Sequence, residues 1–434
     1  MRIIISGGHV IDPSREFSGR ADILIEDGRI EAFSRDKKLK NNQVQAINAA
    51  LTINAENMWV IPGLIDMHTH LREPGFEHKE TIKTGTMAAL RGGFTTVCAM
   101  PNTNPVNDNP GITEFILKKA RAEGNARVLP IGAVTKGQAG EELAPLYMMR
   151  EAGCIAFSDD GRPVANPLIM RRALEYAKGL DALIISHAED PALSDGGVMN
   201  EGLLSATMGL KGSPAVAEEV MIYRDVALAE LTGGRVHIAH VSTLGGVRVI
   251  RQAKERGVAV TAETCPHYFS LTQEAVSGFN SNAKVNPPLR TKKDLEAIKE
   301  GLKDGTIDII ATDHAPHGRA EKISRQFDDA PPGISGLETA LALSMVLVEE
   351  GVLTEMELIR KLTLTPANIL RIDGGTLKEG MPAELAIVDP QRRFVLKADS
   401  LLSLGKNTPF DGMELKGVVI KTIFGGKVME WEQA

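Results

Sequence analysis

Long apolar segments are missing from this 434-residue sequence. It contains no stretch of roughly 18 uninterrupted apolar residues, the length that a membrane-spanning helix requires. The first ten residues read as a short strand running into Gly7 and Gly8, without the basic segment, apolar segment and cleavage site of a secretion signal. We therefore expect a soluble, cytoplasmic protein that does not bind membranes.

Cysteine is also scarce, and basic residues are not concentrated anywhere. The three cysteines, Cys98, Cys154 and Cys265, are far apart and lack the close pairs of a structural zinc knuckle. We interpret them as small buried apolar residues rather than catalytic thiols. Because lysine and arginine form no long runs and the formal net charge is -7, we expect no nucleic-acid partner.

Strand-like alternation of apolar and polar residues marks both ends of the chain. The segments with this pattern are residues 21–25, 29–33, 383–389, 418–424 and 427–431. Asp27-Gly28 and Gly425-Gly426 separate two pairs of them, and such dipeptides are typical of tight hairpin turns. We predict that residues 1–57 and 373–434 form one composite β-sandwich domain.

Between these ends, short apolar strands alternate with amphipathic helices, the pattern of an α/β protein. The eight predicted strands are residues 60–67, 95–100, 128–134, 154–158, 182–186, 236–240, 259–264 and 308–312. The clearest helical patterns are residues 79–91, 167–178, 215–231, 244–255 and 292–303. Eight such units predict a parallel (β/α)8 TIM barrel over residues 58–372, with its active site at the carboxyl ends of the strands.

Polar side chains occur where the predicted strands end, which is where a barrel of this kind carries its site. They are His68, His70, Asn102, Asp160, His187, His240, Asn286, Asp313 and His317. Imidazole together with carboxylate is a zinc-type ligand set. His68 and His70 are separated by one residue, so both side chains leave the same face of an extended chain and can reach one ion.

Alternation along a strand separates neighbouring candidates. His237 and His240 differ by three positions, so a strand sends them to opposite faces. We assign His240 to the barrel interior and expect His237 to pack or hydrogen-bond outside. The same argument selects Asp313 rather than His314. The remaining histidines are interpreted as surface or structural residues: His9, His78 and His267.

Strand four ends in two consecutive aspartates. Alternation from Ala156 through Ser158 favours Asp160 over Asp159 as the side chain that faces the barrel mouth. A carboxylate at this position can reach across the mouth and touch two ions. The other aspartate would then support the ligands from behind.

Five segments together resemble the type I bacterial dihydroorotases, metal-dependent enzymes of the amidohydrolase superfamily. They are HTHLREPG at 68–75, MPNTNP at 100–105, SDDG at 158–161, NPPLR at 286–290 and TDHAPH at 312–317. The resemblance spans the whole chain. It implies a reversible hydrolase of a cyclic amide, which converts N-carbamoyl-L-aspartate to (S)-dihydroorotate and water in the third step of de novo pyrimidine biosynthesis.

The resemblance also implies a zinc centre of one or two ions per subunit, with the binuclear form favoured. The implied ligands are His68, His70, Asp160, His187, His240 and Asp313. Asp160 would bridge the ions, because strand four ends without the lysine that many amidohydrolases carboxylate for this purpose. Asp313 would also be the catalytic residue, taking a proton from the attacking group and passing it to the amide nitrogen.

Substrate contacts follow from the same resemblance. The implied substrate-binding residues are His70, Arg72, Asn102, Asn286, His317, Pro332 and Gly333. Arg72, Asn102 and His317 would hold the substrate carboxylate, since an arginine offers a planar pair of donors matched to it. Asn286 and the backbone at Pro332 and Gly333 would hold the ring.

Two alternative functions stay open at this point. An allantoinase or hydantoinase type of cyclic amidohydrolase would share the fold and most ligands, but hydantoins lack the exocyclic carboxylate. A non-catalytic partner of aspartate transcarbamoylase should have lost ligands, whereas all six positions here carry competent residues. The expected partners are the small-molecule substrate and a second copy of the chain in a homodimer, with a transcarbamoylase complex as a further alternative.

Overall fold

A computed structural model describes residues 1–35, 51–323 and 325–431. Its strands, numbered in chain order, are β1 Arg2–Asp12, β2 Phe17–Glu26, β3 Arg29–Arg35, β4 Leu51–Asn54, β5 Trp59–Pro62, β6 Leu64–Thr69, β7 Phe94–Ala99, β8 Arg127–Gly132, β9 Ala156–Ser158, β10 Leu183–Ser186, β11 Met199–Asn200, β12 Gly212–Ser213, β13 Arg235–Ile238, β14 Val260–Thr264, β15 Ile309–Ile310, β16 Leu385–Val395, β17 Glu414–Phe424 and β18 Lys427–Glu430.

Strands from both ends of the chain join in one sheet. Its order is β18-β17-β16-β5-β1-β2-β3, with β4 beside β1. Asp27 and Gly28 both have positive φ, 48° and 77°, as a two-residue hairpin between β2 and β3 requires. Apolar residues from distant strands of this sheet, such as Ile23 on β2 and Ile423 on β17, share one core. The prediction that the two termini build a common β unit is confirmed.

Eight parallel strands form the barrel, in the order β6-β7-β8-β9-β10-β13-β14-β15. Between β15 and β6, the contact is a single parallel bridge from Thr69 to His314. The buried carboxylate of Asp66 adds to it by accepting hydrogen bonds from Thr312 N at 3.1 Å and Thr312 Oγ1 at 2.5 Å. The first and last strands are therefore tied together beside the mouth, and the predicted (β/α)8 fold class is confirmed.

Helices pack around the barrel and over its ends. They are Ile82–Arg91, Pro110–Glu123, Leu146–Ala152, Pro167–Gly179, Pro191–Ser194, Leu203–Met208, Val216–Thr232, Leu244–Glu255, Pro266–Ser270, Lys292–Asp304, Arg319–Ile323, Ala340–Glu349, Glu355–Leu362 and Leu364–Leu370. Within the described part of the chain, none of these helices has the length and apolar content needed to cross a bilayer. All three cysteines are buried, as predicted.

The predicted first barrel strand, residues 60–67, is in fact two strands. Val60 and Ile61 lie in β5, which pairs with β1 and β16 of the terminal sheet, and the barrel strand β6 begins only after Gly63. A Cβ at Gly63 would collide with the Thr95 side chain, so the chain crosses between the sheets where a side chain is missing. An apolar run does not show where a strand changes sheets. β5 therefore pairs within the terminal sheet, and the predicted domain limits, 1–57 with 373–434 and 58–372, stay a prediction.

Candidate active site

The carboxyl ends of the barrel strands bring the six predicted ligands into one buried cluster. His68 and His70 come from the end of β6, and the other four follow strands within about three residues: Asp160 after β9, His187 after β10, His240 after β13 and Asp313 after β15. All six side chains are at least nine-tenths buried. Charged groups at this depth require partners or a bound ion.

Asp160 lies at the centre of this cluster. Its Oδ1 is 3.3 Å from His68 Nε2 and 3.5 Å from both His187 Nδ1 and His240 Nε2, while its Oδ2 is 3.4 Å from His70 Nε2. The potential metal-binding groups are therefore His68, His70 and Asp160 on one side and Asp160, His187 and His240 on the other. One carboxylate shared by two groups is the arrangement that a bridging ligand needs.

Asp313 belongs to the first of these groups by distance. Its Oδ1 lies 3.0 Å from His70 Nε2 and 3.5 Å from His68 Nε2. Asp313 also lines the cavity above the cluster, whereas the neighbouring His314 is directed to Glu80, with 3.4 Å between Nε2 and Oε2. The side chain of Asp313 is thus placed between the cluster and the space available to a substrate.

The cluster fits a divalent metal ion. Two of its buried atoms, His68 Nε2 and Asp160 Oδ1, have no hydrogen-bond partner among the described residues, and burying such atoms without a partner is costly. Although burial alone lowers the pKa of His68, the charges of Asp160 and Glu263 raise it well above its ordinary value. The site therefore favours added positive charge, and its imidazole and carboxylate donors suit zinc.

Three side chains around the cluster orient the histidines. His68 Nδ1 donates to Glu263 Oε1 at 2.6 Å, His70 Nδ1 donates to Asn102 Oδ1 at 2.8 Å, and His187 Nε2 donates to Glu189 Oε2 at 3.2 Å. In each ring the other nitrogen then faces the centre as a lone pair, as a metal ligand requires. Sequence reasoning missed Glu263 and Glu189. Glu263 is the one charged residue of the short strand β14, and this was the available signal for it.

The prediction that His237 faces away from the barrel was wrong. Its Nε2 donates to Glu263 Oε2 at 3.1 Å. His237 therefore lies inside the barrel, where it holds the same carboxylate that orients His68. The alternation argument failed because β13 ends at Ile238, and His240 has φ +36°. This turn in the backbone brings the His240 side chain back to the interior, although three positions separate it from His237.

The two aspartates after β9 have different surroundings. Asp159 accepts hydrogen bonds from Val134 N at 2.8 Å, Thr135 N at 3.1 Å and the Thr135 hydroxyl. These donors belong to the loop after β8, so Asp159 fixes that loop and does not enter the cluster. Burial raises the pKa of Asp159 to about 6. Of this pair, only Asp160 approaches the four histidines.

A cavity of about 230 Å³ opens above the cluster. The structure brings all the predicted substrate-binding residues to its wall: His70, Arg72, Asn102, Asn286, His317, Pro332 and Gly333. The predicted ligands Asp160, His187, His240 and Asp313 form its floor. The candidate metal centre and the candidate substrate residues thus share one space of the size of a small organic molecule.

One side of this cavity is suited to an anion. Arg72 forms no ion pair within the described residues, and its Nη2 lies 3.3 Å from His317 Nε2. Burial, with Arg72 and Lys79 nearby, holds the pKa of His317 far below its ordinary value, so this ring is neutral. Its Nε2 donates to Pro332 O at 2.9 Å, and its Nδ1 is free to accept from Lys79 Nζ at 3.4 Å. Lys79 is paired with Glu321 at 3.0 Å, so Arg72 is the cation on this side that has no ion pair among the described residues.

The opposite side of the cavity carries an amide linked to the cluster. Asn286 Nδ2 donates to Glu189 Oε2 at 2.9 Å. Although burial opposes it, His187 lowers the pKa of Glu189 to about 2, so this carboxylate is charged at neutral pH. Glu189 therefore fixes both a candidate ligand and a candidate substrate contact.

Comparison with known proteins gives matches along the whole chain. The family model described as Dihydro-orotase-like matches residues 58–245. A dihydroorotase from Geobacter metallireducens is 54% identical over 429 residues, covering 99% of this chain and 99% of that protein. A dihydroorotase from Syntrophus aciditrophicus is 52% identical over 432 residues and covers 100% of both.

Solved structures match the fold at lower identity. The L-hydantoinase (dihydropyrimidinase) from Arthrobacter aurescens has a TM-score of 0.87 and 26% identity, covering 98% of this chain and 95% of its own. The dihydropyrimidinase from Brevibacillus agri has a TM-score of 0.84 and 24% identity, covering 99% and 95%. The second match bears on the fold alone. Both extend over the barrel and the terminal sheet together.

Proposed function

The chain belongs to the dihydroorotase family, and from this premise we propose that it interconverts N-carbamoyl-L-aspartate and (S)-dihydroorotate at a zinc centre built from the six clustered ligands. The enzyme class is that of hydrolases acting on cyclic amides. The observation that carries the substrate assignment is Arg72, an arginine without an ion pair in the described residues, in the same cavity as the ligand cluster.

We propose one or two zinc ions, with two favoured. The two ligand groups that share Asp160 support the binuclear form. When bound, zinc lowers the pKa of water and polarises a carbonyl oxygen, which supplies the nucleophile and the electrophile that amide hydrolysis needs. Glu263, Asn102 and Glu189 keep the histidine nitrogens directed to the centre.

The proposed roles of the cavity residues follow from their positions. Arg72, with the neutral His317 and Asn102, binds the substrate carboxylate, and Asn286 with the backbone of Pro332 and Gly333 binds the ring. This places the reacting amide above the cluster, next to Asp313. The carboxylate of Asp313 accepts the proton of the attacking water and returns it to the ring nitrogen as the bond breaks. Ring closure runs through the same positions in reverse.

A hydantoinase-type activity is the second candidate, because the structural neighbours are named hydantoinase and dihydropyrimidinase. The two candidate activities differ in the role that they give to Arg72. A cyclic amide without an exocyclic carboxylate would leave the guanidinium buried without a counter-charge, which costs binding energy.

An assay of the purified protein on dihydroorotate, allantoin and dihydrouracil tests the proposed function. We expect rapid turnover of dihydroorotate only, zinc in the purified protein by elemental analysis, and loss of activity on strong chelation that added zinc restores. Faster hydrolysis of dihydrouracil would favour the second candidate. Full activity after removal of all transition metal would reject the metal centre.

Arg72→Met should reduce the use of dihydroorotate without affecting the metal, because the guanidinium faces the cavity and not the cluster. We expect kcat/KM to fall by the equivalent of about 2 to 4 kcal/mol, the scale for removing one partner of a buried charged pair. Arg91→Met is a matched control, since Arg91 pairs with Glu338 at 3.3 Å away from the cavity. An unchanged kcat/KM in Arg72→Met would reject the carboxylate pocket.

We also propose that the protein is a cytoplasmic homodimer. Supporting this, large side chains are exposed on successive barrel helices: Tyr147, Met148, Tyr176, Tyr223 and Leu231. Light scattering of the purified chain should give the mass of a dimer. The complex with aspartate transcarbamoylase stays a prediction from the family resemblance, and co-sedimentation with that enzyme tests it.

A further inference from the structure

The loop at residues 331–333 forms one wall of the substrate cavity and has little freedom of position. Gly333 has φ +141°, and a Cβ there would lie 2.7 Å from Ala315 O and 3.2 Å from His317 Cδ2. The loop therefore packs directly against the segment after β15 that carries His317. The relative placement of these two segments decides the shape of the cavity where the ring and the carboxylate of the substrate would meet.

Asn407, from the segment between β16 and β17, joins these two segments. Its Nδ2 donates to Ala315 O at 3.0 Å and to Gly333 O at 2.9 Å. Its Oδ1 accepts from His317 N at 2.9 Å and from Ser335 Oγ at 3.0 Å. The side chain is only 3% exposed, and all four hydrogen-bonding positions of the amide are used.

Lys322 holds the same loop from the helix Arg319–Ile323. Its Nζ donates to Pro331 O at 2.9 Å and to Gly333 O at 3.1 Å, and the residue is 1% exposed. Gly333 O thus receives one donor from Lys322 and one from Asn407. Both residues line a different cavity from the one above the ligand cluster, so neither side chain is available to touch the substrate.

We propose that Asn407 and Lys322 are positioning residues that set the affinity for the substrate by fixing Gly333 and His317 relative to each other. The inference rests on the proposed function for the identity of the substrate. It extends the site beyond the barrel, since Asn407 belongs to the segment that continues into the terminal sheet. The side-chain amide of Asn407 is suited to this task, because its four hydrogen bonds keep it from rotating. Three of them join it to the cavity-lining residues Ala315, Gly333 and His317. The fourth joins it to Ser335.

Asn407→Asp is the most direct variant. It keeps the shape of the side chain and the oxygen that accepts from His317 N and Ser335 Oγ. It replaces the donating nitrogen by an oxygen that faces the carbonyl oxygens of Ala315 and Gly333. With the zinc-loaded enzyme, we expect KM for dihydroorotate to rise about tenfold or more, the scale of losing one buried hydrogen-bond donor. The kcat should stay within about twofold and the metal content should not change, since the ligands are untouched. Asn407→Ala should act in the same direction.

Lys322→Met is tested against Lys361→Met. Lys361 is also a buried lysine, 8% exposed, but its Nζ donates to Ile307 O at 2.7 Å, before β15 and away from the cavity. We expect KM to rise in Lys322→Met and to stay at the wild-type value in Lys361→Met, even if both variants unfold at a lower temperature. Equal KM values in the wild type, Lys322→Met and Asn407→Asp would overturn the proposal.

Amide hydrogen exchange tests the same inference without any turnover. The backbone amides of residues 333–335 should exchange faster in Asn407→Asp, Asn407→Ala and Lys322→Met than in wild type or Lys361→Met, while Pro331 and Pro332 have no amide hydrogen to report. Unchanged exchange there in the folded variants would overturn the positioning role, even if the enzyme is active. If the wild type does not turn over dihydroorotate, the proposed function fails, and faster exchange in these variants would still show that the loop is held as inferred.

Discussion

Asp160→Ala is expected to lose bound metal and nearly all activity. The two oxygens of Asp160 lie 3.3 to 3.5 Å from ring nitrogens of four histidines, and no other carboxylate belongs to both ligand groups. In the proposed binuclear form, the two cations would have no anion between them without Asp160, which Coulomb repulsion in a buried site makes unfavourable. We expect metal affinity to fall by more than about 100-fold, beyond the loss seen for partners outside the ligand set.

Asp159→Ala is the matched control for this experiment, since it removes the neighbouring buried carboxylate. Asp159 accepts from Val134 N and Thr135 N, so its loss should lower thermal stability but leave the metal content near that of the wild type. Elemental analysis and a competition titration with a chelator measure both variants. If Asp159→Ala loses its metal while Asp160→Ala keeps it, the roles of the two aspartates are reversed.

The barrel and the strand-end cluster were predictable from sequence because both depend on local patterns. Each strand is a short apolar run, and the fold places the residues after every such run at one rim. Thus His187 after β10 and Asp313 after β15 could be grouped although 126 positions, the difference between their numbers, separate them in the chain. The roles of these residues are a separate matter and stay proposals.

The residues that hold the candidate ligands and cavity residues in place were not predictable. Their partners lie on other segments of the chain, and the two side chains meet only if both lie at the same level along the barrel axis. Glu263 orients His68 only because β14 and β6 lie on either side of β15 and both side chains enter the barrel interior. Asn407 reaches His317 from a segment that the sequence assigns to the terminal domain. The error at His237 has a similar cause, since a single backbone turn at His240 breaks the alternation on which the prediction relied.

Asp313→Asn should separate proton transfer from metal binding. Asparagine has nearly the same shape and still offers an oxygen toward the cluster, but it cannot accept and return a proton near neutral pH. The variant should therefore fold and keep most of its metal. We expect kcat to fall by at least about 100-fold in both directions of the reaction, the lower end of what a positioned acid or base contributes. KM should change much less, because Arg72, Asn102 and His317 are unaltered.

Asp12→Asn provides the comparison for Asp313→Asn, since it makes the same chemical change at a buried aspartate of the terminal sheet. Asp12 accepts from Ser14 N and Leu377 N, both at 3.0 Å, and has no contact with the cavity. Its variant should unfold at a lower temperature with a normal kcat. Metal content, thermal unfolding and both reaction rates are measured on the same preparations. A folded, metal-containing Asp313→Asn enzyme with near-normal kcat would mean that another group carries the proton, and the position of Asp313 between cluster and cavity would then reflect metal binding alone.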